Sequence, residues 1–214
     1  ISIFNGAFRG WFPAMGATNM PRSADVDTPM PPRFTVDGQG HVAGTQQVAS
    51  PHCDVRPPGT AITLVVIHGI SLPPGKFGGD GVQQLFMGTL DPSAHPYYAG
   101  IAGLRVSAHF FIRRDGEVVQ YVPCWRRAWH AGVSSWRGRE RCNDYSIGIE
   151  LEGTDRTAYA APQYDALADL LVALKRRYPL TAAVGHSDVA PGRKSDTGPA
   201  FDWGRLAALT GYRQ

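Results

Sequence analysis

ITLVVIH, residues Ile62 to His68, is a run rich in branched apolar side chains that ends on a histidine. A half-exposed strand alternates polar and apolar residues, whereas a run like this one marks a central strand buried on both faces. Its last residue is the exception. An imidazole held at the end of a buried strand, facing a loop, is rigidly placed over whatever space lies beyond.

Working outward, GISLPPGKFGG reads as a loop, and DGVQQLFMG as a short amphipathic helix with Val82, Leu85 and Phe86 on one side. A helical or irregular piece covers His95 to Gly103. LRVSAHFFIRRDGEVVQYVP reads as a hairpin, with strands Val106 to Arg113 and Glu117 to Val122 joined through Asp115 and Gly116. Alternation puts Arg105 and His109 on one face of its first strand. His109 reads as a packing or hydrogen-bonding residue rather than a metal ligand.

YSIGIELEG alternates as a strand, with Ile147, Ile149 and Leu151 toward the core and Gly148, Glu150 and Glu152 the other way. One of these two carboxylates is a candidate general base for a metal-activated water. The plainer reading is a solvent-facing acidic edge strand. PQYDALADLLVALKRRYP is a helix from near Pro162 to before Pro179. Its apolar stripe is Tyr164, Leu167, Leu170, Leu171, Leu174 and Tyr178, and Lys175, Arg176 and Arg177 sit at its negative end. TAAVGH is a short strand delivering His186, and FDWGRLAALTG is a closing helix capped by Asp202.

Between the last two lies GHSDVAPGRKSDTGPAFDW, residues 185–203, whose glycines and prolines forbid regular helix and hold polar side chains in a fixed loop. His186 and Asp196 offer a nitrogen and an oxygen ligand. A zinc ion with an open coordination position takes three protein groups, and His68 is the best candidate for the third. Asp188 is a rival ligand, or a cap for the turn that follows. Of the 21 basic residues only Lys76, Lys175 and Lys194 are lysines, so a strongly hydrated ammonium at position 194, beside this loop, stands out. WRRAWHAGVSSWRGRERCND is dense in arginine and aromatic residues. Surface stacking and a groove wall that receives peptide carboxylates stand about even for the group, with function favoured only at Arg141.

At 214 residues with 43% hydrophobic and 18% charged content, the chain can bury one sizeable core, and one domain is expected. No apolar run approaches membrane-spanning length. Cys53, Cys124 and Cys142 are too few and scattered for a disulfide framework and point to a reducing compartment. A net charge of +3 suits an anionic small substrate and falls short of a nucleic-acid footprint. Residues 1 to about 45 show no sustained period of 2 or 3.6 and read as a poorly structured extension without the continuous apolar segment of a signal peptide. No stripe or patch demands a partner, so a monomer is the default.

IHGISLPPGKFGG, LRVSAHFFIRRDGEVVQYVP, RAWHAGVSSWRGRERCNDYSIGIELEGTD and GHSDVAPGRKSDTGPAFDW together resemble the cytoplasmic AmpD-type 1,6-anhydro-N-acetylmuramyl-L-alanine amidases, from about Ser50 to Tyr212. The resemblance implies an α/β (α+β) fold: a single domain with a central mixed sheet flanked by helices and a zinc site at one edge of the sheet. It divides the chain into an extension, residues 1–45, and a zinc amidase domain, residues 46–214. It implies zinc ligation by His68, His186 and Asp196, with Asp188 outside the ligand set. It makes Glu150 the general base, Lys194 the partner of the oxyanion, and Arg105 and Arg141 binders of substrate carboxylates. The implied substrate is an anhydro-muropeptide, cut between N-acetylmuramic acid and L-alanine during cytoplasmic peptidoglycan recycling. A peptidoglycan-recognition module that does not cut, and an exported amidase acting on intact wall, are the competing readings. One position departs from the family: Gly69 stands where Asn is usual, which removes a side-chain hydrogen bond.

Overall fold

A six-stranded mixed sheet carries the structure, a computed structural model that describes residues 31–211. In chain order the strands are β1 (Thr35–Val36), β2 (Val42–Ala43), β3 (Gln46–Gln47), β4 (Cys53–Val55), β5 (Leu64–Ile70), β6 (Phe110–Ile112), β7 (Val118–Gln120), β8 (Arg126–Ala128), β9 (Ser135–Trp136), β10 (Arg139–Glu140), β11 (Ser146–Glu152) and β12 (Ala182–Gly185). The helices are α1 (Gly81–Met87), α2 (Pro96–Ala99), α3 (Ala161–Arg177), α4 (His186–Val189) and α5 (Trp203–Thr210). The main sheet runs β12-β5-β11-β6-β7-β3. Its first four strands are mutually parallel, β6 and β7 are antiparallel, and β7 and β3 are parallel.

The branched run becomes β5, and its alternate residues go to opposite faces. Val65 and Ile67 pack with Ile147, Ile149 and Leu151 of β11, with Leu167, Leu170, Leu171 and Leu174 of α3, and with Leu206 of α5. Leu64 and Val66 pack on the other side with Tyr145, Val184 and Val189. Each such aliphatic side chain contributes about 1.5–3 kcal/mol on burial, so the two covered faces fix this strand at the centre. β11 lies between β5 and β6, which rules out the edge-strand reading of its two glutamates. α3 starts with Pro162 in its first turn and ends with Lys175, Arg176 and Arg177, as its sequence requires. The Asp202 side chain accepts from the Arg205 N–H and caps α5.

Three expectations change. The hairpin pairs Phe110 with Gln120 and Ile112 with Val118, but its regular strands are shorter than expected, because the Ser107 N–H turns away to the Trp129 carbonyl. The stretch after Gly185 begins with one helical turn, α4, rather than running as pure loop. The extension expected up to residue 45 is ordered from at least Phe34: β1 and β2 form a hairpin, β3 joins the sheet edge, and Phe34 and Val42 are buried in the main core. The Gln120 side chain holds this hairpin, accepting from the Val42 N–H and donating to the Gly40 carbonyl. Strands of two residues carry no readable period, so the folded unit begins earlier than the sequence pattern suggests. The expectation for residues 1–30 lies outside the described residues. Among the described residues no helix is long and apolar enough to cross a membrane.

Candidate metal centre

The register of the parallel strands builds the site. Glu150 of β11 is the direct neighbour of His68 on β5, and β12 pairs Gly185 with Ile67, so His186 emerges beside His68 on the other side. One row of chemistry therefore crosses three strands at their carboxyl ends, where open parallel sheets characteristically bind ligands. The expected position at one edge of the sheet is refined by this: β12 is the edge strand, and β5 and β11 are interior.

Asp196 is brought to the row by the loop after α4. Its carbonyl accepts from the Ser187 N–H at 2.8 Å, and the carbonyl of the next residue, Thr197, accepts from the Tyr159 hydroxyl at 3.2 Å. The Tyr159 ring reaches that point because Gly69 and Gly153 have no side chains; a Cβ on either would overlap it. Gly69 thus leaves room for a tyrosine hydroxyl that braces the loop.

His68, His186 and Asp196 converge as the sequence led us to expect. The two Nδ1 atoms are 2.9 Å apart, and Asp196 Oδ2 lies 3.1 Å from that of His186 and 3.4 Å from that of His68. A tetrahedral ion with bonds of 2.0–2.1 Å needs ligand atoms about 3.3 Å apart, so the donor set fits a zinc-like ion in spacing and in kind. Asp188 is not among them: its carboxylate accepts from the Gly185 N–H and caps α4. Burial raises the Asp196 carboxyl, but the close approach of the His186 and His68 rings outweighs this and holds it below the usual carboxylate range. Burial also lowers the His68 imidazole to about 4, which keeps it neutral and able to coordinate.

Glu150 faces the same point. Its carboxylate is 12% exposed, 3.9 Å from His68 Nδ1, and its Oε2 is buried without a hydrogen-bond partner. Burial first, and the nearby Asp196 second, push its pKa well above the usual range. Glu152, on the same face, is spent on structure, accepting from the Gly78 and Arg114 backbone amides. Glu150, His186 and Asp196 line a cavity of about 610 Å³ together with Ser71, Leu72, Trp129, Asp155 and Lys194 among others.

The remaining expected residues are less central. Arg105 is exposed, and its neighbours Leu104, Val106 and Ser107 line the cavity. Arg141, 69% exposed, pairs with Asp144 and lines a second hollow with Arg193 and Val189. His109 is structural, as expected: its Nδ1 accepts from the Gly148 N–H, and its Nε2 faces Arg56 and the Arg126 carbonyl. Sequence reasoning passed over His130, a buried imidazole 2.9 Å from His68 Nε2, and Tyr159. The nearest signal for His130 was Gly148, a glycine inside a strand, which marks a close approach by something else.

Comparison with known proteins gives the family. Residues 58–199 match the N-acetylmuramoyl-L-alanine amidase family. The 1,6-anhydro-N-acetylmuramyl-L-alanine amidase AmpD of Citrobacter freundii is 61% identical over 173 residues, covering 80% of this chain and 92% of that protein. A crystal structure of an AmpD selenomethionine derivative superposes with a TM-score of 0.78 at 59% identity, covering 80% of this chain and 97% of the other. A complex of Escherichia coli AmiD with anhydro-N-acetylmuramic acid-L-Ala-D-gamma-Glu-L-Lys gives 0.51 at 29% identity, over 85% of this chain and 66% of that one.

Proposed function

The chain belongs to the N-acetylmuramoyl-L-alanine amidase family and is an amide hydrolase of that kind, and from this we propose that it uses zinc to split anhydro-muramyl peptides at the bond to L-alanine. One observation carries the reading: a buried carboxylate, Glu150, with one oxygen left without a hydrogen-bond partner, set beside a converging His-His-Asp cluster that opens on a cavity. That is the arrangement a hydrolytic metal site needs, a three-group holder with an adjacent base.

His68, His186 and Asp196 would hold the ion. When bound, zinc supplies Lewis-acid polarisation of the amide carbonyl and lowers the pKa of water. Glu150 takes the proton of the attacking water, and its raised pKa suits a group that must both accept a proton and return it to the departing amine near neutral pH. Lys194, on the cavity wall, supplies positive charge for the oxyanion that develops as the carbonyl is attacked. Arg105, exposed beside cavity-lining residues, would meet carboxylates of the stem peptide, and Arg141, lining a separate hollow, would be the more distant member of that pair. The three free cysteines suit a cytoplasmic site of action, consistent with recycling of soluble wall fragments.

Mass spectrometry of an anhydro-muramyl tripeptide incubated with the protein tests this. Free peptide should form, should cease with a zinc chelator and should return with added zinc. Glu150→Gln should keep the metal and lose about two to four orders of magnitude in rate. Release of peptide from intact wall but not from the soluble fragment would replace the recycling reading with one of wall hydrolysis.

A further inference from the structure

Both histidines of the cluster use Nδ1 toward the metal position, so each must keep its proton on Nε2, and the structure shows what holds it there. His186 Nε2 lies 3.3 Å from the Ala131 carbonyl, an acceptor only, which requires an Nε2–H. His68 Nε2 has no carbonyl. It lies 2.9 Å from Nδ1 of His130, a ring nitrogen that can donate or accept.

A chain of hydrogen bonds settles the direction. The Ser146 hydroxyl donates to the Cys142 carbonyl at 2.6 Å, which leaves its oxygen as the acceptor for His130 Nε2 at 3.2 Å. A neutral imidazole protonated on Nε2 presents a lone pair on Nδ1. His130 therefore accepts from the His68 Nε2–H, and His68 presents its own Nδ1 lone pair to the metal position. The polarity runs from a backbone carbonyl through two side chains to the ligand atom.

The surroundings are built to hold this chain. The His130 ring lies flat over Gly148 of β11, where a Cβ would overlap it. The backbone amides of His130 and Ala131 both donate to the Asn143 side-chain oxygen, at 3.2 and 2.8 Å. One dipeptide, pinned by one asparagine, thus supplies the outer hydrogen-bond acceptor for each histidine ligand.

We propose that His130 is a positioning residue of the metal centre: anchored by Ser146, it fixes His68 as the Nε2–H tautomer and so aims its Nδ1 at the ion. The inference rests on the zinc reading above. Outer hydrogen bonds of this type are typically worth about 10–100-fold in metal affinity.

The test compares the wild type with His130→Phe, which keeps a ring over Gly148 but no acceptor, and His130→Asn, whose amide oxygen occupies the place of Nδ1. Long-range proton–nitrogen NMR correlations of histidine read the His68 tautomer in the zinc-free protein, and chelator competition reads zinc affinity. The proposal expects an Nε2–H His68 in the wild type, a mixed or Nδ1–H His68 in His130→Phe with zinc bound about 10–100-fold more weakly, and recovery of most of both changes in His130→Asn. Ser146→Ala should loosen the tautomer while leaving His130 in place. An unchanged His68 tautomer and zinc affinity in His130→Phe would overturn it, as would equal weakening in Phe and Asn, which would make the role one of packing. A wild type with the expected tautomer but no zinc affinity would instead sink the metal reading. If His130→Phe does not fold, the Asn and Ser146→Ala variants carry the same comparison.

Discussion

Glu150 sits where its charge is unwelcome. Its folded pKa is raised by burial and by Asp196, so in the metal-free protein its contribution to stability is fully present below about pH 4.3, the ordinary glutamate value, and is lost as the pH rises through the folded pKa. Glu150→Gln removes that loss. The metal-free variant should therefore melt higher than wild type at pH 7, by about 2–4 °C for each kcal/mol relieved, with the gap closing at pH 4. Calorimetry at both pH values checks it, and a lower melting temperature for the variant at pH 7 would show that the carboxylate is not strained. The two aspartates near His186 make a second contrast. Asp188→Asn keeps an oxygen to accept from the Gly185 amide and should bind zinc as the wild type does, whereas Asp196→Asn removes an anionic ligand and should lose most zinc affinity in the same chelator competition.

At the scale of elements, β11 is the strand with the least freedom to change. Gly148→Ala puts a methyl into the His130 ring, and overpacking of this kind costs about 1–3 kcal/mol. A lowered urea midpoint should be accompanied by weaker zinc binding, because the ring it displaces also positions His68. β4 and β11 meet through Arg56, a buried guanidinium that donates to the carbonyls of Cys124, Asn143, Asp144 and Ser146. Arg56→Met strands those acceptors and should cost about 3 kcal/mol or more in the same experiment. The legible elements were those long enough to show a period: β5 by its unbroken branched run, β11 by alternation, α3 by its leucine stripe. β1, β2 and β3 span two residues each, and Arg56 works through carbonyls distant in sequence, so neither left a pattern to read. His68, His186 and Asp196 were legible because loop composition and a strand end isolate them. His130 was hidden among arginines and tryptophans, and the pairing of Arg141 with Asp144 left no local pattern to read.

For the molecule as a whole, metal and fold should be linked. An ion that binds only the folded chain, at a concentration 100 times its dissociation constant, adds about 2.7 kcal/mol, so zinc should raise the melting temperature by about 5–10 °C and excess chelator should reverse it. No shift with zinc would argue against a bound ion at the His-His-Asp cluster. Gly148 has a further consequence, for the fidelity of assembly. Parallel strands with matching alternation can mispair by two residues without exposing any apolar side chain, and β11 slipped in that way would still set a carboxylate, Glu152, beside His68. The slipped chain would place Glu150 where Gly148 belongs, under the His130 ring, and that ring has no room for it. A single missing side chain thus acts as a proofreading mark: it lets only one of two near-equivalent alignments close, and it ties a correctly formed sheet to a correctly formed metal holder.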